Sequence, residues 1–192
     1  MTGSAIPGVR YLRVARHDDV RGSFRELWRS STLEVGSGES VRFVQANLST
    51  SERGVLRGLH VHQRQLDYWT VAAGRAFVAL VDIRPLLSGG GARPVVETRV
   101  LAADDAVVIP AGVGHGFLAL ERLDLLYLVT TEYDGSDEMG FAWNDPALGV
   151  PWPLVDGTTS RLPILSERDR GNPTLAELLA SLRLPRGSSD PA

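Results

Sequence analysis

Three of the four histidines, His60, His62 and His115, stand between short apolar runs at spacings that could carry chemistry. From Gly54, five residues lead to His60, one to His62, four to Asp67 and six to Gly74, and His115 closes the segment Pro110-Ala-Gly-Val-Gly-His115. Imidazole titrates near neutral pH, so a histidine in a pocket can take a proton from a substrate and return it. Imidazole and carboxylate also suit divalent first-row ions. The two uses conflict at His60, because a bound ion would occupy the nitrogen that a base needs. Cysteine and lysine are both absent, and all 20 basic residues are arginine. Thiolate nucleophiles, disulfides, Cys-ligated metals and Schiff-base lysines are therefore excluded.

These side chains need a rigid frame, and 192 residues with 43% hydrophobic and 22% charged residues suffice for one domain with its own core. We expect that domain over residues 1–185 and a flexible tail over 186–192, with a loop at Ser88-Gly-Gly-Gly91. Runs rich in Val, Leu and aromatics, separated by Gly or Pro, predict strands at 41–48, 68–73, 76–83, 95–101, 106–109, 117–120 and 125–131. Short strands at that spacing predict an all-β sandwich or small barrel. Thr174 and Glu177 form a capping-box pattern, and Leu175, Leu178, Leu179 and Leu182 share one face, which predicts a C-terminal helix. Gln45 and Asn47 alternate with Val44 and Ala46, so both amides face one side of their strand. The net charge of −3 argues against a nucleic-acid partner, although an arginine can clamp a small phosphorylated ligand. No apolar run reaches the roughly 18 residues of a membrane span, and Met1–Arg10 lacks a signal-peptide core, so we expect a cytoplasmic protein that does not enter a membrane.

The histidine spacing resembles the two-part signature of the cupin superfamily, whose histidines point into the mouth of a small jelly roll; in its metal-binding members the two histidines, an acidic residue and the later histidine are the ligands, which this resemblance would place at His60, His62, Asp67 and His115. A longer resemblance runs in register through Val20–Glu26, Phe43–Ser49, Gly54–His60, Ile109–Phe117, Trp143–Pro146, Pro151–Pro153 and Leu165–Asp169. In that order the blocks are similar to dTDP-4-dehydrorhamnose 3,5-epimerases. The resemblance implies an all-β cupin-type jelly roll with an N-terminal arm, no cofactor, and a homodimer whose N-terminal strands are exchanged. The implied reaction is epimerisation at C3, C5 or both of a dTDP-linked 4-keto-6-deoxyhexose. A proton alpha to the ketone is removed, an enolate forms, and a proton returns on the opposite face.

By the same resemblance His60 is the base, Asp169 hydrogen-bonds its other ring nitrogen, and Tyr127 is the acid on the far side. Arg57 would clamp the diphosphate. Gln45, Asn47, His115, Tyr133 and Trp143 would contact the substrate, and Phe24 and Glu26 would reach the nucleotide, in one subunit or its neighbour. Trp28, Trp69 and Trp152 read as packing residues, His17 as a solvated one, and a lone extra histidine such as His62 as a surface or hydrogen-bonded residue.

One position departs from the family. Counting back from Gly74, the active-site lysine of these enzymes is replaced by Asp67, in a loop about three residues shorter than theirs. That lysine is expected to hold charge on the enolate oxygen, and losing such a donor costs about 3 kcal/mol of barrier. Three readings stay open: His62, Arg64 or His115 meets the enolate; a divalent metal on His60, His62, Asp67 and His115 does so, in a metal-dependent isomerase or lyase; or the chain binds a sugar nucleotide without catalysis.

Overall fold

Side chains along a β-strand alternate between its two faces, and here that alternation divides each main strand into an inward row and an outward row. The computed structural model describes residues 3–30, 34–35, 39–89, 93–156, 159–160 and 162–183. In chain order the strands are β1 (Arg10–Arg13), β2 (Arg16–Asp19), β3 (Gly22–Arg25), β4 (Glu34–Val35), β5 (Glu39–Ser40), β6 (Gln45–Ser51), β7 (Leu56–Val61) and β8 (Asp67–Ala73). They continue as β9 (Arg75–Asp82), β10 (Val95–Ala102), β11 (Asp105–Ile109), β12 (Val113–Ala119), β13 (Leu123–Val129), β14 (Met139–Gly140), β15 (Val155–Asp156) and β16 (Thr159–Ser160). Three helices, α1 (Arg84–Leu87), α2 (Glu167–Gly171) and α3 (Leu175–Arg183), complete the described elements.

Two antiparallel five-stranded sheets, ordered β1-β11-β8-β13-β6 and β10-β9-β12-β7-β14, face each other as a jelly roll. Between them lie inward residues of both, among them Trp69, Val71, Val78, Leu80, Phe117 and Leu125. The outward face of the second sheet, with Leu59, Val61, Ala79 and Val81, is covered by Leu175 and Leu178 of α3. Its predicted capping box is present: Thr174 N and Oγ1 both donate to Glu177 Oε2, at 2.8 and 2.7 Å. The outward face of the first sheet, with Tyr68, Val108 and Leu128, packs against Leu12, Leu27, Trp28 and Phe43 from the N-terminal arm. Among the described residues no helix is long and apolar enough to cross a membrane. The tail expected at 186–192 lies outside the described residues, as do Gly90 and Gly91 of the expected loop.

Two of the histidines lie within strands and not between them. His60 is inside β7, a strand the sequence pattern did not predict, and His115 is inside β12, which starts at Val113 and not at Phe117. The glycines are there for close packing. A Cβ on Gly58 would stand 2.6 Å from Gly116 Cα, and one on Gly114 would stand 2.5 Å from Phe141 Cζ. Gly58 also has φ +122°, a conformation open to glycine and strained for other residues. Gly58→Ala should therefore destabilise the protein by about 3 kcal/mol through strain and displacement of β12. Denaturant unfolding with an unchanged slope would measure it; a loss below about 1 kcal/mol would show that the strand pair can shift to admit the methyl.

Candidate active site

The jelly roll leaves one end of its interior open, and polar residues replace the apolar ones there. The cavity, of about 650 Å³, is lined from the second sheet by Arg57, His60, His115 and Phe117, and from the first by Gln45, Asn47, Asp67, Trp69, Leu125 and Tyr127. His60 and His115 are register partners across β7 and β12. Tyr127 is flanked in register by Asn47 of β6 and Trp69 of β8. The imidazole and the phenol thus rise from opposing sheets into one space.

His60 Nε2 lies 2.6 Å from Asp169 Oδ1. Asp169 is delivered by α2, whose N-cap Ser166 Oγ accepts from the Asp169 N–H at 3.0 Å. Burial pushes the Asp169 carboxyl up, but the hydrogen bond and charge of His60, with help from Ser166 and the Gly58 backbone, hold it below the ordinary carboxylate range. A carboxylate accepts, so Nε2 carries the proton and Nδ1 of His60 is left with its lone pair. Burial, then the charge of Asp67, raises the Tyr127 phenol above its ordinary value, against the pull of Arg57, so it stays protonated at neutral pH.

A base oriented by a buried carboxylate, opposite a protonated phenol, is the geometry of proton exchange on two faces of a ring. The family model for dTDP-4-dehydrorhamnose 3,5-epimerase matches residues 3–177. The chain belongs to that family. A dTDP-4-dehydrorhamnose 3,5-epimerase of Pseudomonas aeruginosa is 38% identical over 180 residues, which span 92% of this chain and 96% of the relative. The epimerase of Legionella pneumophila, solved with dTDP-4-keto-L-rhamnose, superposes with a TM-score of 0.78 at 32% identity, covering 95% of each chain. A 3'-monoepimerase of Streptomyces bikiniensis, solved with dTDP-quinovose, gives a TM-score of 0.80 at 31% identity, covering 94% of this chain and 91% of that one.

The other residues expected of this family member divide into two groups. At the cavity stand Gln45 and Asn47, joined by a 2.9 Å amide hydrogen bond, together with Tyr133 and Arg57, whose Nε donates to Ser51 Oγ at 3.1 Å. Away from it stand Phe24, 70% exposed on the β2–β3 hairpin; Glu26, engaged by Arg29; and Trp143, whose carbonyl accepts from Trp152 Nε1. Arg64, a candidate to meet the enolate, turns instead to Ser136 Oγ and Asp137, outside the cavity lining.

The metal set of four is also divided. Ligand atoms of His62, Asp67 and His115 converge within 4.8 Å, whereas His60 is not one of the group and gives its Nε2 to Asp169. Asp67, 3% exposed at the start of β8, has oxygens that accept from Gln65 Nε2 at 2.7 Å and Trp69 Nε1 at 3.1 Å. His62 is hydrogen-bonded, one of the two readings the sequence allowed: half-buried, it lines the cavity and holds the Asp137 carbonyl through Nδ1 at 2.6 Å. Burial lowers the His115 imidazole to about 4 in spite of Asp67, so it is neutral.

Sequence reasoning missed Glu138 and Arg168, an ion pair at the cavity rim. Burial raises the Glu138 carboxyl, but Arg168, the Tyr133 hydroxyl and His60 together hold it below its ordinary value. Their partnership joins the loop before β14 to α2 and leaves no local pattern. The α2 helix did leave one, the Ser166-x-x-Asp169 cap.

Proposed function

We infer that this protein epimerises a dTDP-linked 4-keto-6-deoxyhexose at C3, C5 or both, as a step in deoxysugar formation. The observation that carries the reading is the His60–Asp169 pair standing across one cavity from Tyr127. Nδ1 of His60 takes the proton alpha to the C4 ketone, and the electron pair moves onto the ketone oxygen as an enolate. Asp169 stabilises the imidazolium so formed. Tyr127 then gives its phenolic proton to the same carbon from the opposite face, which inverts it. Electrons neither enter nor leave, so no redox cofactor is required.

Arg57 at the rim suits the diphosphate, to which a guanidinium offers paired donors. The amides of Gln45 and Asn47 suit sugar hydroxyls. We also infer a homodimer: the β2–β3 hairpin presents Phe24 and Val20 to the outside, where they can reach the nucleotide of a neighbouring subunit.

Incubation with dTDP-4-keto-6-deoxyglucose in deuterated water should place deuterium at each carbon the enzyme visits, read by NMR or mass spectrometry. Label at C3 alone, C5 alone or both names the reaction. Binding of dTDP with no label at either carbon would refute the epimerase reading and leave a sugar-nucleotide binder.

A further inference from the structure

We propose that the side-chain amide of Gln65, held by Asp67, donates the hydrogen bond that stabilises the C4 oxygen of the sugar as its enolate forms. Gln65 is thereby a catalytic residue and Asp67 a positioning one, and the assignment rests on the epimerase reading.

The reaction itself sets the requirement. When His60 removes the alpha proton, the electron pair arrives on the ketone oxygen, and the charge there needs an N–H or O–H already in place. His62, Arg64 and His115 are the candidates named by the sequence, and none of them supplies it. His62 Nδ1 lies 2.6 Å from the Asp137 carbonyl, and His115 Nδ1 lies 2.9 Å from the Val113 carbonyl. A carbonyl oxygen only accepts, so in each neutral ring Nδ1 carries the proton and Nε2 keeps a lone pair, which does not donate. Burial keeps His115 in that neutral form. Arg64 turns to Ser136, outside the cavity lining.

Gln65 is the other side chain of this turn that lines the cavity. Its Nε2 donates to Asp67 Oδ1 at 2.7 Å, and because a carboxylate only accepts, that contact fixes which end of the amide is the nitrogen. The nitrogen carries two protons, and the second meets no acceptor among the described residues. Asp67 is itself held on both sides, since its other oxygen accepts from Trp69 Nε1 at 3.1 Å. The backbone under Gln65 is fixed as well. Gln63 N and Arg64 N donate to the Asp137 carboxylate at 2.8 and 2.9 Å, Leu66 N donates to Thr130 Oγ1 at 2.9 Å, and Thr130 N donates to the Leu66 carbonyl at 3.2 Å. A donor fixed in this way needs no rearrangement when charge develops in front of it.

Its place suits the ketone oxygen, which is attached to the ring carbon next to the one that loses its proton. Asp67 pairs in register with Val129 of β13, two residues along from Tyr127. Asp67 Oδ2 also lies 3.7 Å from His115 Nε2, and His115 is the register partner of His60. The Gln65–Asp67 pair therefore adjoins both the strand of the acid and that of the base. No proton is transferred at Gln65: the N–H stays on the amide while the alpha proton goes to His60. The pair also accounts for a carboxylate in this position, because Asp67 is met by two N–H groups and the enolate meets the far proton of the amide. An asparagine at 67 would offer one oxygen to two donors, so either Trp69 or Gln65 would lose its acceptor.

The test follows deuterium exchange into dTDP-4-keto-6-deoxyglucose by the full chain. Gln65→Leu, similar in size, should lower kcat about 100-fold, with KM and dTDP affinity changed less than about threefold and circular dichroism unchanged. Gln65→Glu, which keeps the shape and loses the N–H, should fall at least as far. Asp67→Asn should lower kcat by about tenfold or more at the same KM, and combined with Gln65→Leu it should cause no further loss, because both changes disable one donor. Exchange by Gln65→Leu within about threefold of native would overturn the proposal, as would a raised KM with kcat intact, the mark of a group that only binds. Losses that multiply in the double variant would overturn the part given to Asp67. Native protein that binds dTDP and exchanges no deuterium would refute the epimerase reading and this assignment with it, whereas native exchange with Gln65→Leu unaffected removes this assignment alone.

Discussion

His60→Ala should lower kcat/KM for epimerisation by about 10⁴-fold, at the upper end of what a positioned general base contributes. The methyl group can neither take the alpha proton nor hand it on, and deuterium exchange at the substrate carbon should fall by the same factor. Asp169→Asn should come close, at about 10³ to 10⁴, although the side chain keeps its size. The present carboxylate accepts from His60 Nε2 at 2.6 Å and so keeps the lone pair on Nδ1. A carboxamide that donates to Nε2 would move the proton to the nitrogen that must be free, and would also withdraw the charge that stabilises the imidazolium. The two losses should not add in the double variant, because they disable one unit. Intact exchange in either single variant would assign the base to another residue, with His62 the first to examine.

Tyr127→Phe should separate two events that are joined in the native enzyme. With the base untouched, proton removal and return on the His60 face continue, so deuterium still enters the substrate. Delivery from the opposite face is lost, and epimer formation should fall by about 10² to 10³-fold. The separation follows from placement: His60 is on β7 of one sheet and Tyr127 on β13 of the other, with the cavity between. Because burial and Asp67 raise the phenol's pKa, it holds its proton throughout neutral pH and is a donor in the resting enzyme. If exchange and epimer formation fell together, Tyr127 would be acting on substrate position and not as the acid.

Much of the frame was legible because it rests on local periodicity. The strands at β8, β9, β10 and β11 match their predicted runs to within one or two residues, and the α3 capping box is formed by the residues that suggested it. Glycine caused the miss at the histidines. Gly58, Gly114 and Gly116 look like turn residues in a one-dimensional pattern, yet they lie in β7 and β12, where the missing Cβ lets two strands and Phe141 approach closely. Val41 and Phe43 look like the start of a strand, but β6 begins at Gln45 and Phe43 packs on the outer face of the first sheet with Trp28 and Tyr68. An apolar pair states that it will be buried without stating against what.

The same division runs through the site. Residue types and spacing alone were enough to rule out thiol and lysine chemistry, to mark His60, His62 and His115, and to place Gln45 and Asn47 on one face, since all of these depend on identity and on a two-residue period; Asp67 stood out only through the family resemblance. They could not say which of the four belonged together. That depended on Asp169, brought to His60 by a helix 109 residues further along the chain, and on the Asp137 carbonyl, which engages His62 from 75 residues away. Hydrogen bonds between distant segments have no period and no neighbour in the chain, so only folding the two sheets together could set His60 beside a carboxylate and His62 beside a backbone carbonyl.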